Sequence, residues 1–147
     1  MKKVLLILLC LPMIGFGQDR WKLRSIDTTF YNGVHYIGGS LNNKKSGFGQ
    51  LTFPNGSSFI GEFKNDMANG QGTAYYSDGS TYVGQFVNDK KQGKGTYSLH
   101  MIIGGVEVFF YSYNGNFYNN RYHGYGKMRY KDGTVKEGIW KNGEFVE

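Results

Sequence analysis

A chain of 147 residues has room for one domain of ordinary size, which argues against a two-domain enzyme. Its 23 Gly, 12 Tyr and 11 Phe beside two Pro point to an all-β fold, because Tyr and Phe favour pleated, half-buried surfaces and Gly supplies turns and close approaches. The net charge of +6, two units of which belong to Lys2 and Lys3, is too mild for a nucleic-acid binder, and a single cysteine, Cys10, excludes a disulfide framework.

Residues 1–17 have the form of a secretory signal peptide. Met-Lys-Lys is followed by an apolar run from Val4 to Ile14, then Gly15-Phe16-Gly17-Gln18, with small residues placed for a cut after Gly17. The run is about 11 residues, short of the roughly 20 that a membrane-spanning helix needs, and no later stretch is continuously apolar. Leu8 and Leu9 before Cys10 disfavour lipidation, which wants a small residue there. The expectation is a cysteine-free mature chain that is exported, to be periplasmic, outer-membrane associated or secreted, with no transmembrane span.

Residues 18–35 form the next segment. Trp21, Leu23 and Ile26 precede Thr28-Thr29-Phe30-Tyr31 and a first Asn-Gly turn, the pattern of a strand that caps the bare edge of a repeat array.

From there a ruler of 23 residues governs the chain. Asn32-Gly33, Asn55-Gly56 and Asp78-Gly79 lie 23 apart, and Asp132-Gly133 follows after two periods plus eight residues. The leading aromatics Tyr36, Phe59, Tyr82 and Tyr113 keep the same spacing, each followed two residues on by Gly38, Gly61, Gly84 or Gly115. A Gly-x-Gly pair comes next in each unit: Gly47 with Gly49, Gly70 with Gly72, Gly93 with Gly95, and Gly124 with Gly126. Gly138 and Trp140 mark a truncated fifth unit. The array spans 36–147, divided at 36–58, 59–81, 82–112, 113–135 and 136–147.

Phe59-Ile-Gly-Glu-Phe63 and Tyr113-Asn-Gly-Asn-Phe117 carry a resemblance to the MORN repeat, whose units read roughly Tyr-x-Gly-x-Phe, a short loop, then Gly-x-Gly and an apolar stretch. The resemblance runs from about Tyr36 to Trp140. Unit one departs from it, with Ser40 where Phe63, Phe86 and Phe117 stand. It implies a scaffold or interaction role, with membrane association or self-association. Some MORN proteins join the repeats to a lipid-kinase domain that this chain lacks, so kinase activity is not implied.

The alternation of each unit predicts two antiparallel strands. A three-residue loop, a type I turn ending in a left-handed glycine, pairs Leu51 with Phe59 and puts the leading aromatics on one face with the returning column Leu51, Ala74, Tyr97 and Met128. Pro54 suits the second position of that turn, so Gly33, Gly56, Gly79 and Gly133 are expected at positive φ. The glycines inside the strands are expected to be packing slots beneath neighbouring rings. The whole is a single elongated, twisted antiparallel sheet of tandem β-hairpins, an open solenoid-like meander.

In the third unit, Gly104-Gly105 between apolar runs predicts a hairpin extended past the sheet at 98–112. Its tip, Met101, Ile102, Ile103 and Val106, is either a partner contact or a flap folded over its own sheet.

No sequence pattern of a hydrolase, phosphate-binding loop or metal site is present, and His35, His100 and His123 share no spacing. The Gly-x-Gly pairs lie within hairpins and make no nucleotide site. The expectation is therefore a non-enzymatic module with no cofactor and no metal. Its partner is a protein, and self-association is open to it. The alternative is a peripheral binder of anionic lipid head groups or glycans, through the aromatic face and a basic rim of loop residues Lys44, Lys45, Lys90, Lys91 and Arg121.

Overall fold

The computed structural model describes residues 23–147, so the expected signal segment, Cys10 and Trp21 lie outside the described residues. Eleven strands form one open sheet whose spatial order is chain order, every neighbour antiparallel. They are β1 (Arg24–Thr29), β2 (His35–Leu41), β3 (Lys44–Thr52), β4 (Ser58–Lys64), β5 (Met67–Tyr75), β6 (Ser80–Val87), β7 (Lys90–Ile103), β8 (Val106–Tyr118), β9 (Arg121–Tyr130), β10 (Val135–Lys141) and β11 (Glu144–Phe145). Among the described residues there is no helix, and hence none long and apolar enough to cross a membrane. The all-β meander expected from the repeat is the observed fold.

Two kinds of turn alternate along the sheet, one on each edge. Four are the three-residue loops. Between β3 and β4, the Phe53 amide donates to Ser57 O at 2.9 Å, the Gly56 amide donates to Phe53 O at 3.0 Å, and Leu51 stands opposite Phe59. Gly33, Gly56, Gly79 and Gly133 take φ of +78° to +88°. The Asn or Asp before each glycine accepts from the amide two residues on, as Asn55 does from Ser57 at 3.0 Å, which holds the turn closed.

The opposite edge uses two-residue turns that the sequence reading missed: Asn42-Asn43, Asn65-Asp66, Asn88-Asp89, Asn119-Asn120 and Asn142-Gly143, all at positive φ. Such turns match the twist of the strands they join, and Asn, Asp and Gly tolerate the left-handed region best. The second turn residue also reaches back one repeat. Asp66 donates its amide to Lys45 O at 3.0 Å and accepts from Lys45 N at 2.8 Å, Asp89 does the same with Ala68, and Asn120 with Lys91. Each turn thereby clasps the turn before it.

The core is a ladder of rings on one face. Tyr36, Phe63, Phe59, Phe86, Tyr82, Phe117, Tyr113, Trp140 and Phe145 follow one another edge to face, with centroids 4.9 to 5.3 Å apart. This geometry sets the positive edge of one ring against the negative face of the next. Because each leading aromatic meets the Phe or Trp of the next unit, the repeats are welded in series.

The strand glycines divide into two sets, so the expectation that all of them are packing slots holds for one set and not the other. Gly38 pairs with Gly49, Gly61 with Gly72, Gly84 with Gly95, and Gly115 with Gly126, each pair lying across two strands beneath the leading ring. An added Cβ at Gly49 or Gly95 would stand 2.5 Å from the hydroxyl of Tyr36 or Tyr82, and one at Gly126 would collide with the Tyr113 hydroxyl. These are packing slots. Gly126 does more than leave room, since its carbonyl accepts from Trp140 Nε1 at 3.1 Å and ties the truncated fifth unit to the fourth. Gly47, Gly70, Gly93 and Gly124 instead have φ of +66° to +123° and sit beside a register shift, so their role is conformational. Three of the shifts occur at Gly39, Gln85 and Asn116, whose carbonyls accept from the Tyr36, Tyr82 and Tyr113 hydroxyls at 2.8 to 3.0 Å. Ser40 is buried at the start of the ladder, opposite Lys45, and contributes no ring.

Candidate functional site

The ladder face is a binding surface only where the ladder leaves it open, because Tyr36, Tyr82 and Tyr113 are fully buried. Among the described residues two such places stand out, and both arise where residues bordering the ladder break the repeat.

The first is an apolar hollow of about 340 Å³ over unit two, bounded by Leu51, Phe59, Phe63, Phe86 and two alanines, Ala68 and Ala74. The equivalent positions hold Lys45 and Leu51 in unit one, Lys91 and Tyr97 in unit three, and Tyr122 and Met128 in unit four. Two small side chains on one strand, β5, leave room for a hollow beside Phe59, Phe63 and Phe86 there. Lys45, Asp66 and Asp89 stand at one end of the hollow.

The second is a smaller recess of about 290 Å³ lined by Lys91, Tyr97, Tyr111, Arg121 and Tyr122. The Lys91 ammonium lies 5.0 to 5.6 Å from the ring centres of Tyr76, Tyr82 and Tyr97, a cation–π arrangement. Desolvation among these rings lowers the Lys91 pKa, with Asp78 opposing. Burial raises the phenols around it, Tyr82 and Tyr113 to about 12 and Tyr76, Tyr97 and Tyr122 in the same direction.

The expected basic rim is thereby divided. None of its five residues lies in a loop: Lys44 and Lys90 open β3 and β7, Arg121 opens β9, and Lys45 and Lys91 follow one residue later. Side chains alternate along a strand, so Lys44, Lys90 and Arg121 are exposed on the edge of the two-residue turns, while Lys45 and Lys91 turn inward over aromatic rings. Lys45 is 3.5 Å from Asp66 and 5.9 Å from the Tyr36 ring centre. Three cations, not five, face solvent.

The extended hairpin rises from the opposite edge, where β7 and β8 stay paired out to Ile103 and Val106 around Gly104-Gly105. Its base is fixed to neighbouring turns. The Lys131 amide donates to Phe110 O at 2.8 Å, and the His100 carbonyl lies against Gly79. His100 Nδ1 and Glu107 Oε1 are 2.8 Å apart across the two strands. Beyond that pair Met101, Ile102, Ile103 and Val106 are 41–69% exposed. The flap tip and the three solvent-facing cations thus stand on opposite edges of the sheet and cannot meet one flat surface together.

His35 is held by Asp27 at 2.7 Å, and His123 lies beside Tyr118, so the three histidines are scattered over the sheet. Among the described residues no three His, Cys, Asp or Glu side chains converge as metal ligands would. The arrangement offers surfaces for binding: an apolar hollow, a cationic tyrosine recess, an apolar tip and a sparse basic edge.

No curated protein matches the chain. The family model for the MORN repeat matches residues 36–58, 59–81, 82–99 and 113–135, leaving out the extended hairpin. MORN repeats are a non-catalytic module associated with protein or lipid binding. Four matched units take in more than half of the sequence, and each repeats the same two-residue turn, register shift and packed glycine pair, so this chain belongs to the MORN-repeat family.

Proposed function

We propose that the chain is an exported, non-enzymatic MORN-repeat protein that serves the bacterial envelope as a protein-interaction or scaffolding module. The observation that carries this reading is the flap tip. Met101, Ile102, Ile103 and Val106 hold four apolar side chains in water at the end of a hairpin whose base is braced. Exposed apolar side chains gathered at one point mark a contact site more often than scattered ones do. The test is affinity capture from envelope extract with the full chain and an Ile102→Ser/Ile103→Ser variant. The variant should keep its melting temperature and lose the principal captured protein, and identical captured sets would remove the flap from the function. Fractionation of the native host tests export, which a cytoplasmic pool of uncleaved chain would refute.

A second reading, peripheral binding to an anionic surface, is favoured by one observation: Lys44, Lys90 and Arg121 are all exposed along one edge. Neutral and phosphatidylglycerol-containing vesicles separate it from the first. Salt-sensitive co-sedimentation with the anionic vesicles alone would support it.

A further inference from the structure

The face opposite the ladder is crossed by a groove of about 630 Å³ running from β5 to β10. One bank is the in-register row Val83, Thr96, Asn114, Lys127 and Glu137. The other comprises Gln71, Lys94, Asn116 and Tyr125, two residues away along their strands. Between the banks lies the backbone of Gly84, Gly95 and Gly115. Five strand-to-strand steps at about 4.8 Å give the groove a length of about 24 Å.

Its polar groups are held in place by one another. Asn114 Nδ2 donates to Thr96 Oγ1 at 2.7 Å, and Asn116 Nδ2 donates to Tyr125 O at 3.1 Å, which fixes both amides and leaves their carbonyl oxygens to accept. The Tyr125 hydroxyl donates to Glu137 Oε1 at 3.1 Å, so this 57%-exposed ring is tethered at its tip. Lys127 and Glu137 neutralise each other at 2.6 Å, leaving Lys94 the one charge of the lining without an ion-pair partner among the described residues.

We propose that this groove binds a neutral polysaccharide. A sugar hydroxyl both donates and accepts, which matches a lining of amides and hydroxyls, and a tethered tyrosine offers a flat apolar face to the C–H side of a sugar ring. Side chains already oriented by their own hydrogen bonds lose little freedom when a ligand arrives. The near-neutral lining does not select a polyanion. An extended peptide is poorly served, because the groove crosses paired strands whose backbone groups are already engaged, and Val83 is the one aliphatic side chain in the lining. This inference stands apart from the proposed protein partner, which meets the flap tip on the sheet edge.

The test uses the full chain, isotope-labelled, titrated with cellohexaose, xylohexaose and chitohexaose and, in a parallel arm, with a capped neutral Ala/Ser decapeptide. At least one oligosaccharide should shift the side-chain amides of Gln71, Asn114 and Asn116 in a saturable way. Tyr125→Ala should weaken that binding at least tenfold and Thr96→Val about threefold, while Ile102→Ser/Ile103→Ser leaves it unchanged. Thr96→Val preserves shape and so keeps the test open if Tyr125→Ala unfolds. Absence of a shift with all three sugars, shifts confined to ladder-face tyrosines, binding indifferent to both groove variants, or binding of the peptide alone would each overturn the proposal.

Discussion

Units two and three share a backbone and differ in what they place on it. Unit two carries Phe59, Ala68 and Ala74 where unit three carries Tyr82, Lys91 and Tyr97. The first trio leaves an apolar hollow, and the second surrounds a desolvated ammonium with rings. The glycine pair, the register shift and the turn clasp are common to both, so the frame is separable from the surface it displays. One scaffold holds two chemically opposite sites about one hairpin apart.

The strongest challenge to that separation is to disturb the shared frame. Gly72→Ala in unit two and Gly95→Ala in unit three both push a methyl into the leading ring of the unit, and each should cost about 3 kcal/mol in urea unfolding. A midpoint unchanged in either variant would show that the two units do not share the packing slot.

Exchanging the leading aromatics isolates a smaller difference. Tyr82 donates its hydroxyl to Gln85 O at 3.0 Å, a bond that Phe59 has no group to make. Tyr82→Phe should cost about 1 kcal/mol, and Phe59→Tyr should gain a comparable amount if the new hydroxyl reaches the Glu62 carbonyl. Loss of stability in both variants would mean that the shared backbone does not present that carbonyl in unit two.

The smallest effect is read from pH. Tyr82 and Tyr113 are raised from the ordinary 10.0 to about 12 by burial, so between pH 10 and 12 the unfolded chain gives up protons that the folded chain keeps. Their contribution is therefore complete below pH 10 and declines as pH rises through that window. Lys91, lowered by desolvation, has the opposite sign, and its contribution to stability increases as pH rises toward 10.5. The raised phenols around Lys91 outnumber it, so thermal stability followed by circular dichroism should fall above pH 10. It should fall less in Tyr82→Phe, whereas an unaltered alkaline profile in that variant would remove Tyr82 from the account.

Much of the frame was legible in the sequence. The 23-residue ruler fixed the strand pairs, and Pro54 with Gly56 selected the three-residue loop over a two-residue one, which determined that Leu51 and Phe59 share a face. The other turns were missed although Asn42, Asn65 and Asn88 keep the same ruler, because attention to Gly passes over Asn as a residue that also accepts positive φ. The two kinds of strand glycine look identical in the sequence. Gly124 and Gly126 stand two residues apart in one motif, yet they separate through φ, which depends on where the register shifts.

The site was less legible, for a geometric reason. That Ala68 stands where Lys45 and Lys91 stand one repeat away is visible in the sequence, but a hollow needs Ala68 and Ala74 to lie opposite Phe63 and Phe59 on the neighbouring strand. The rim appeared as five cations, and strand alternation turned two of them inward. The outer groove joins side chains from six strands that only pairing brings together. Local spacing by itself determined the repeat, its hairpins and one set of turns, since turn chemistry and period-two alternation act within a few residues. Tertiary structure alone decided which side chains converge, because pairing between strands sets the neighbours and burial depends on the neighbours' size.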